Sequence, residues 1–216
     1  MTIGTTGRPP ARGSYRHGDL RRALLDAGIA LARGGGPGAV VLREATRRAG
    51  VVPNAAYRHF GSREALLQAV RAAALSALAV AMENELAALP ADMDPVDFAR
   101  ASLRAVGTGY LRFAEAETGL FRTAFAVPAD PQQGTAEAVG AGNSGLNPFQ
   151  LLGAALDRLV EAGALPRERR PGAEYLAWSA VHGLAMLVID GPLRRLAGAQ
   201  MRDIGQRLLD MVEKGL

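Results

Sequence analysis

Apolar side chains recur along this chain at intervals of three and four, the spacing of one helical face. Leu20, Leu24, Ala27 and Leu31 line such a face in a helix read from Leu20 to about Arg33, with Asp19 as its cap, and the run Gly34-Gly35-Gly36-Pro37-Gly38 ends it. Leu42, Ala45, Thr46 and Ala49 form a second stripe, with Arg43, Glu44, Arg47 and Arg48 on the opposite side. From Ser62 to about Leu89 the sequence reads as one long Ala-rich helix, since no proline interrupts it before Pro90. Asp94-Pro95 is a cap followed by a first-turn proline; the helix it opens runs to about Glu115 with Val96, Ala99, Leu103, Val106, Tyr110 and Phe113 in register. A shorter helical piece covers Glu117 to Phe125, and Asn147-Pro148 opens another helix that runs to Glu161 and is closed by Gly163. Two more span about Gly172 to Asp190 and Ala199 to Glu213, the last with Met201, Ile204, Leu208 and Met211 on one stripe. The long stretch from Ala126 to Leu146, containing Gly, Pro and Gln, is the exception and reads as a loop. The pattern predicts an all-α chain of about nine helices.

The segment Val41 to Phe60 organises the rest. Gly50 supplies the left-handed residue a helix end prefers, and Pro53 suits the first turn of a second helix, from about Asn54 to Phe60. Two short helices joined by a tight turn make a helix-turn-helix. Its second helix presents Asn54, Tyr57, Arg58 and His59, side chains suited to base edges and phosphates rather than to a core.

Charge strengthens that reading. The chain of 216 residues has a net charge of +4, yet residues 1–66 carry 11 Arg against 4 acidic residues, which leaves the remainder net negative. A basic first third favours a polyanion, with affinity that falls steeply with salt. With 49% hydrophobic residues, no Cys and no apolar run near the length that spans a bilayer, the sequence predicts a soluble cytoplasmic protein without disulfide, Cys-zinc site or membrane partner. The first residues also lack the continuous apolar run of a secretory signal. Residues 1–18, with Arg8, Arg12, Arg16 and His17, read as a flexible basic arm, either entering a minor groove or serving as an inert tail.

The run Ala-Gly-Val-x-x-x-x-x-Tyr-x-His-Phe ending at Phe60, followed by Ser62-Arg63-Glu64-Ala65-Leu66-Leu67, resembles the DNA-binding domain of the TetR (tetracycline-repressor-like) transcription regulators. The resemblance implies an N-terminal three-helix helix-turn-helix domain, residues 19–66, and a C-terminal antiparallel helical bundle for ligand binding and dimerisation, residues 67–216. It assigns base reading to Pro53, Asn54 and Arg58, phosphate contact to Tyr57 and His59, base-edge or phosphate contact to Arg43, and backbone contact to Arg63; Phe60 packs the small domain. Its partners are a double-stranded DNA operator, a small-molecule effector and a second copy of the chain. The long helix after Ser62 carries the signal between domains. Three positions depart from the pattern: Val41 and Val52 replace capping Ser or Thr, and Thr46 replaces Ala.

Trp178 to Gly191, with His182-Gly183 inside it, resembles the Trp-His-Gly type of C-terminal domain in one branch of that family. On that likeness Trp178 and His182 face a ligand cavity; as plain packing residues, His182 would be satisfied by a backbone carbonyl instead. Tyr110, Phe113, Phe121 and Phe125 complete the apolar ligand-binding set, and Leu184, Ile204, Leu208 and Met211 the dimer interface, a four-helix bundle made with a partner's helices. Nothing marks an enzyme. The glycine run at 34–38 lacks the Lys-Ser/Thr of a phosphate loop, Ser144 has no identifiable catalytic partner, Ser179 and His182 lack a third member, and three His show no metal-ligand spacing. No cofactor or metal is expected. The functional expectation is a ligand-released repressor; the rival is an architectural DNA-binding protein without sequence preference, with a helical enzyme remote.

Overall fold

The computed structural model describes residues 17–52, 56–126, 140–196 and 198–216. Among them are eight α-helices and no strand: α1 His17–Ala39, α2 Leu42–Arg48, α3 Arg63–Ala87, α4 Pro95–Ala116, α5 Thr118–Ala124, α6 Pro148–Glu161, α7 Ala173–Ile189 and α8 Gly198–Gly215. Two short 3₁₀ turns, Arg167–Arg169 and Pro192–Arg195, flank α7. The expected ninth helix, from Asn54, is represented among the described residues only by Ala56 and the turn after it. The 126–146 loop lies mostly outside the described residues; its end, from Gly140, folds back on α3.

Polar caps define several helix starts. Asp94 Oδ1 accepts from Val96 N at 2.9 Å, and Ser62 Oγ accepts from Ala65 N at 3.1 Å. Asn147 and Gln150 exchange side-chain and backbone bonds, both 2.9 Å, in a full capping box. The start of α1 departs from expectation: the helix already includes His17, so Asp19 lies inside its first turn rather than capping it. Its end follows the glycine run. Gly36, with φ 67° and ψ −162°, breaks the helix in a region closed to most L side chains, and Pro37 fixes the exit.

α3 is the central helix, touching α1, α4, α5 and α6. Its apolar residues therefore occupy more than one face, and Leu66, Leu67, Val70, Ala74, Leu78, Ala79 and Met82 are buried. This corrects the expectation that no run approaches a bilayer span: an 18-residue window of α3 has a mean hydropathy of 1.7, enough by length and composition. Packing from four helices gives that apolarity a place within the fold. One continuous core runs from Leu24 and Phe60 at one end to Leu156 and Leu209 at the other, so the predicted boundary near residue 66 interrupts neither α3 nor the core.

α5 joins the two ends of the molecule. At Gly119 a Cβ would lie 2.2 Å from the Ala32 carbonyl oxygen and 2.4 Å from that of Arg33, so α5 meets the backbone of α1 directly. Arg33 Nε donates to both Glu117 carboxylate oxygens, at 3.2 and 3.0 Å, beside this contact.

Gly119→Ala is expected to destabilise the protein by roughly 1–3 kcal/mol or more through overpacking against immobile backbone. Gly34→Ala, in α1 where a Cβ would meet nothing within 4 Å, should stabilise by roughly 0.5–1 kcal/mol. Urea unfolding of the two variants checks both signs; equal midpoints would remove the close approach from the account.

Candidate DNA-binding turn and effector cavity

α2 buries Leu42, Ala45 and Thr46 and turns its charges outward. Val41 is extended and offers no side-chain cap, as its side chain requires. Glu44 binds Arg47 through paired contacts of 2.9 and 2.7 Å and Arg48 at 3.3 Å. The Arg47 hydrogen bonds are the main reason its carboxyl is lowered to about 2, with Arg48 adding to the effect. Buried Thr46 returns its hydroxyl to the Arg43 carbonyl at 2.7 Å, which explains how a polar residue is tolerated at this contact. Arg43 itself is exposed. Gly50, at φ 68°, makes the left-handed exit, and Val51 N closes it on the Thr46 carbonyl at 3.1 Å.

Pro53 and Asn54 lie outside the described residues. Beyond them, the Ala56 carbonyl accepts from both His59 N and Phe60 N at 2.9 Å, forming one tight turn. Ala56 and Phe60, 2% exposed, anchor it from below, and the Arg21 guanidinium lies 5.1 Å over the Phe60 ring. Tyr57 is 57% exposed, Arg58 is exposed and His59 is half-buried. Tyr57, Arg58 and Arg43 are therefore presented to solvent while Phe60 packs as expected. Arg63 is used differently: its Nε and Nη2 donate to the carbonyls of Val40 and Pro37, both at 2.9 Å, fixing the α1–α2 link.

A second feature is a partly open cavity of about 440 Å³ bounded by α3, α4, α6, α7 and α8. Tyr110, Phe125 and Trp178, three of the residues expected to bind ligand, line it. Phe113 is buried but not part of its wall, and Phe121 and His182 stand behind the wall in an aromatic cluster. Phe121 stacks on His182 with ring centres 5.8 Å apart, Phe125 meets the same imidazole edge-on at 4.8 Å, and Tyr110 meets Phe121 edge-on at 5.3 Å. Leu75, Met82, Phe149, Tyr175 and Arg71 also line the cavity; the sequence reading missed them because their partners are remote in sequence.

Polar atoms of the cluster satisfy one another. Trp178 Nε1 donates to the Tyr110 hydroxyl oxygen at 3.3 Å, and that hydroxyl lies 2.7 Å from His182 Nδ1. Trp can only donate, so the hydroxyl proton is free for Nδ1. Burial lowers the His182 pKa and keeps that nitrogen available as acceptor; burial likewise raises the Tyr110 pKa, so it stays a phenol. His182 is thus paired by a side-chain hydroxyl, neither exposed to the cavity nor satisfied by a backbone carbonyl.

Long-range bonds tie the cavity to the rest of the fold. Arg122 on α5 pairs with Asp190 and donates to the Ile189 carbonyl at 3.3 Å, holding the end of α7. Arg71 Nε donates to the Ala124 carbonyl at 3.0 Å, at the end of α5. Glu83 accepts from Asn143 N at 2.8 Å, from Ser144 N at 2.9 Å and from the Ser144 hydroxyl, pinning the loop before α6; burial raises its pKa, and the Ser144 hydroxyl with the two backbone bonds outweighs that and holds it down. Leu184, expected at a dimer interface, is 7% exposed within its own chain. Helical phase explains this: Leu176, Gly183 and Leu187 share the outward face of α7, and Leu184 points the other way. Ile204 and Leu208 are half-buried and Met211 is 61% exposed.

An exposed aromatic-basic turn between α2 and α3, on an all-helical chain that also holds an apolar cavity, has the layout of the helix-turn-helix class. Family comparison agrees. The model described as "Bacterial regulatory proteins, tetR family" matches residues 24–70, and "Tetracyclin repressor-like, C-terminal domain" matches residues 103–212, more than half of the chain. The chain belongs to the tetR family of DNA-binding transcription regulators. Solved structures share the fold. A protein of unknown function from Rhodococcus sp. RHA1 is 24% identical, with 97% of this chain and 99% of that one covered, at a TM-score of 0.73. PfmR, a TetR family transcriptional regulator from Thermus thermophilus, is 22% identical over 89% and 98%, at 0.56. A TetR variant from Acinetobacter baumannii AYE, in complex with minocycline, is 18% identical over 89% and 93%, at 0.53. No curated protein matches the chain.

Tyr110→Phe removes the hydroxyl that serves both Trp178 and His182 and should cost roughly 1–3 kcal/mol in thermal or urea unfolding. His182 also gives a pH signature. Its folded pKa lies below the unfolded value, so unfolding takes up a proton, and its contribution is full above about pH 6.5 and declines as pH falls below it. His182→Gln should flatten this part of the stability profile; an unchanged slope below about pH 6.5 would place the titration elsewhere.

Proposed function

We propose that this chain acts as a homodimeric repressor that occupies a near-palindromic operator and leaves it when a small apolar molecule enters the cavity. The observation that carries the proposal is the Tyr57–His59 turn, with Tyr57 and Arg58 presented outward by an anchor of buried Phe60 and Ala56. Tyr57 and His59 contact phosphate, while Pro53, Asn54 and Arg58 read bases. Arg43 reaches the backbone from the start of α2. Arg63 supports the surface by holding the Val40 and Pro37 carbonyls, with its remaining donors facing phosphate. Residues 19–66 form the DNA-binding unit and 67–216 the effector and dimer unit; a duplex-DNA target places the protein in the cytoplasm.

The cavity supports an effector role through its volume and apolar wall, and the minocycline complex of the A. baumannii relative is a precedent in the same fold. Trp178 acts as cavity wall, and His182 supports it from behind through the Tyr110 hydroxyl instead of facing the ligand. α5 links cavity to DNA, since Phe125 lines the cavity just past one end and Gly119 touches α1 near the other. Movement of α5 on effector entry displaces α1 and, with it, the recognition turn.

Dimerisation uses α7 and α8. Tyr175, Leu176, Met186, Leu187 and Met211 are large apolar side chains exposed in the single chain, and their burial against the same elements of a second copy builds a four-helix bundle with Ile204 and Leu208 at its margin. Two recognition turns then lie about one DNA turn apart or slightly more.

Selection from random-sequence duplexes at two salt concentrations should enrich a near-palindrome. Against that operator, Tyr57→Ala weakens binding to all sequences alike, while Asn54→Ala and Arg58→Ala cost roughly 1–3 kcal/mol and relax base preference. Unchanged operator affinity in all three variants would defeat the assignment. Leu187→Glu should shift the protein to monomer in analytical ultracentrifugation and abolish tight binding to the palindrome; a dimer of undiminished stability would move the interface off α7.

A further inference from the structure

The two guanidinium groups on the cavity wall differ in their charge partners. Arg104 is neutralised by Glu213 and by Asp210, the latter at 3.2 Å. Arg71 has only its Nε–H bond to the Ala124 carbonyl, and among the described residues no carboxylate lies within ion-pair distance of it. No Asp or Glu among the described residues lines the cavity. A guanidinium keeps its proton in a protein, so among the described residues Arg71 has one uncompensated positive charge and about four further N–H donors beside an otherwise apolar space. Its planar fork matches a carboxylate.

The cavity is also long. Arg71 and Met82 both line it from α3 and stand eleven residues apart, about 16 Å at the helical rise. Leu75 lies between them, and Leu103 and Val181 continue the apolar wall from α4 and α7. One end of an elongated apolar space therefore carries a cation.

We infer that the effector is a slender apolar molecule ended by a single carboxylate, with its head on Arg71 and its body along α3 toward Met82. This rests on the reading of the cavity as the effector site. It also gives the site a route to the DNA-binding end, because Arg71 holds the last residue of α5 and a carboxylate competes for the same guanidinium.

Trp178 is the chain's only tryptophan and lines the cavity, so its emission reports occupancy directly. The full-length protein is titrated with decanoate and with 1-decanol, which share a chain length and differ in charge. Decanoate should bind roughly ten- to a hundredfold more tightly, the factor that charge-assisted hydrogen bonds supply in a site removed from water. Arg71→Gln should lose that preference with decanol binding retained, and Arg71→Lys should keep part of it. The wild-type ratio needs no substitution, so it stands even if Arg71→Gln proves unfolded by circular dichroism. Equal binding of acid and alcohol, or a preference that survives in folded Arg71→Gln, overturns the carboxylate assignment and leaves the cavity reading intact. Binding of neither overturns both.

Discussion

The contact on which this structure depends is the approach of α5 to α1, where Gly119 sits so near the Ala32 and Arg33 carbonyls that a single added carbon would come within 2.2 Å of the first. Backbone against backbone leaves little room for slippage, since neither side can rotate out of the way. The Arg33–Glu117 pair fixes the same junction in rotation. Through it, one seven-residue helix shares its position with both ends of the molecule. Phe121 belongs to the aromatic cluster, Arg122 clasps the end of α7, and Arg71 holds the final carbonyl.

This arrangement gives the cavity and the recognition turn a common mechanical support. The core is continuous from Phe60 to Leu209, with α3 running through it, and packed interiors transmit displacement instead of absorbing it. On the proposed reading, a ligand acts by changing where α5 settles between two packed faces. The polar side chains divide accordingly: Glu44 is paired with Arg47 and Arg48 on the outer face of α2, while Arg43, Tyr57 and Arg58 are exposed and, on the same reading, meet DNA.

Helix starts were legible in the sequence where a polar residue stood before a first-turn proline, as at Asp94 and Asn147, because capping is a bond between neighbours in the chain. The same locality made Gly50 readable as a left-handed exit and Val41 as a missing cap. Asp19 misled because the helix had already begun at His17. Contacts between distant segments were not legible. Arg63 has the composition of a phosphate ligand, and only the fold brings the Pro37 and Val40 carbonyls to it. Leu184 and Leu187 are equally apolar, and the phase of α7 alone turns the first inward and the second out. Aromatic type points Phe113 and Phe121 to the cavity and the Trp-His-Gly resemblance points His182 there, but none of the three is part of its wall. Arg71 carried no local signal, since its significance lies in the carboxylates that line its neighbour Arg104 and not itself.

The most direct test of the coupling is made from the DNA side. Linkage is reciprocal, so if cavity and operator share α5, binding of operator must alter the cavity as surely as an effector alters operator affinity. Trp178 emission and its quenching by acrylamide are measured with and without saturating selected operator. The account predicts a shift in both, with a nonspecific duplex of equal length producing none. Full operator occupancy with unchanged Trp178 emission and quenching would contradict the coupling and leave the turn and the cavity as independent sites.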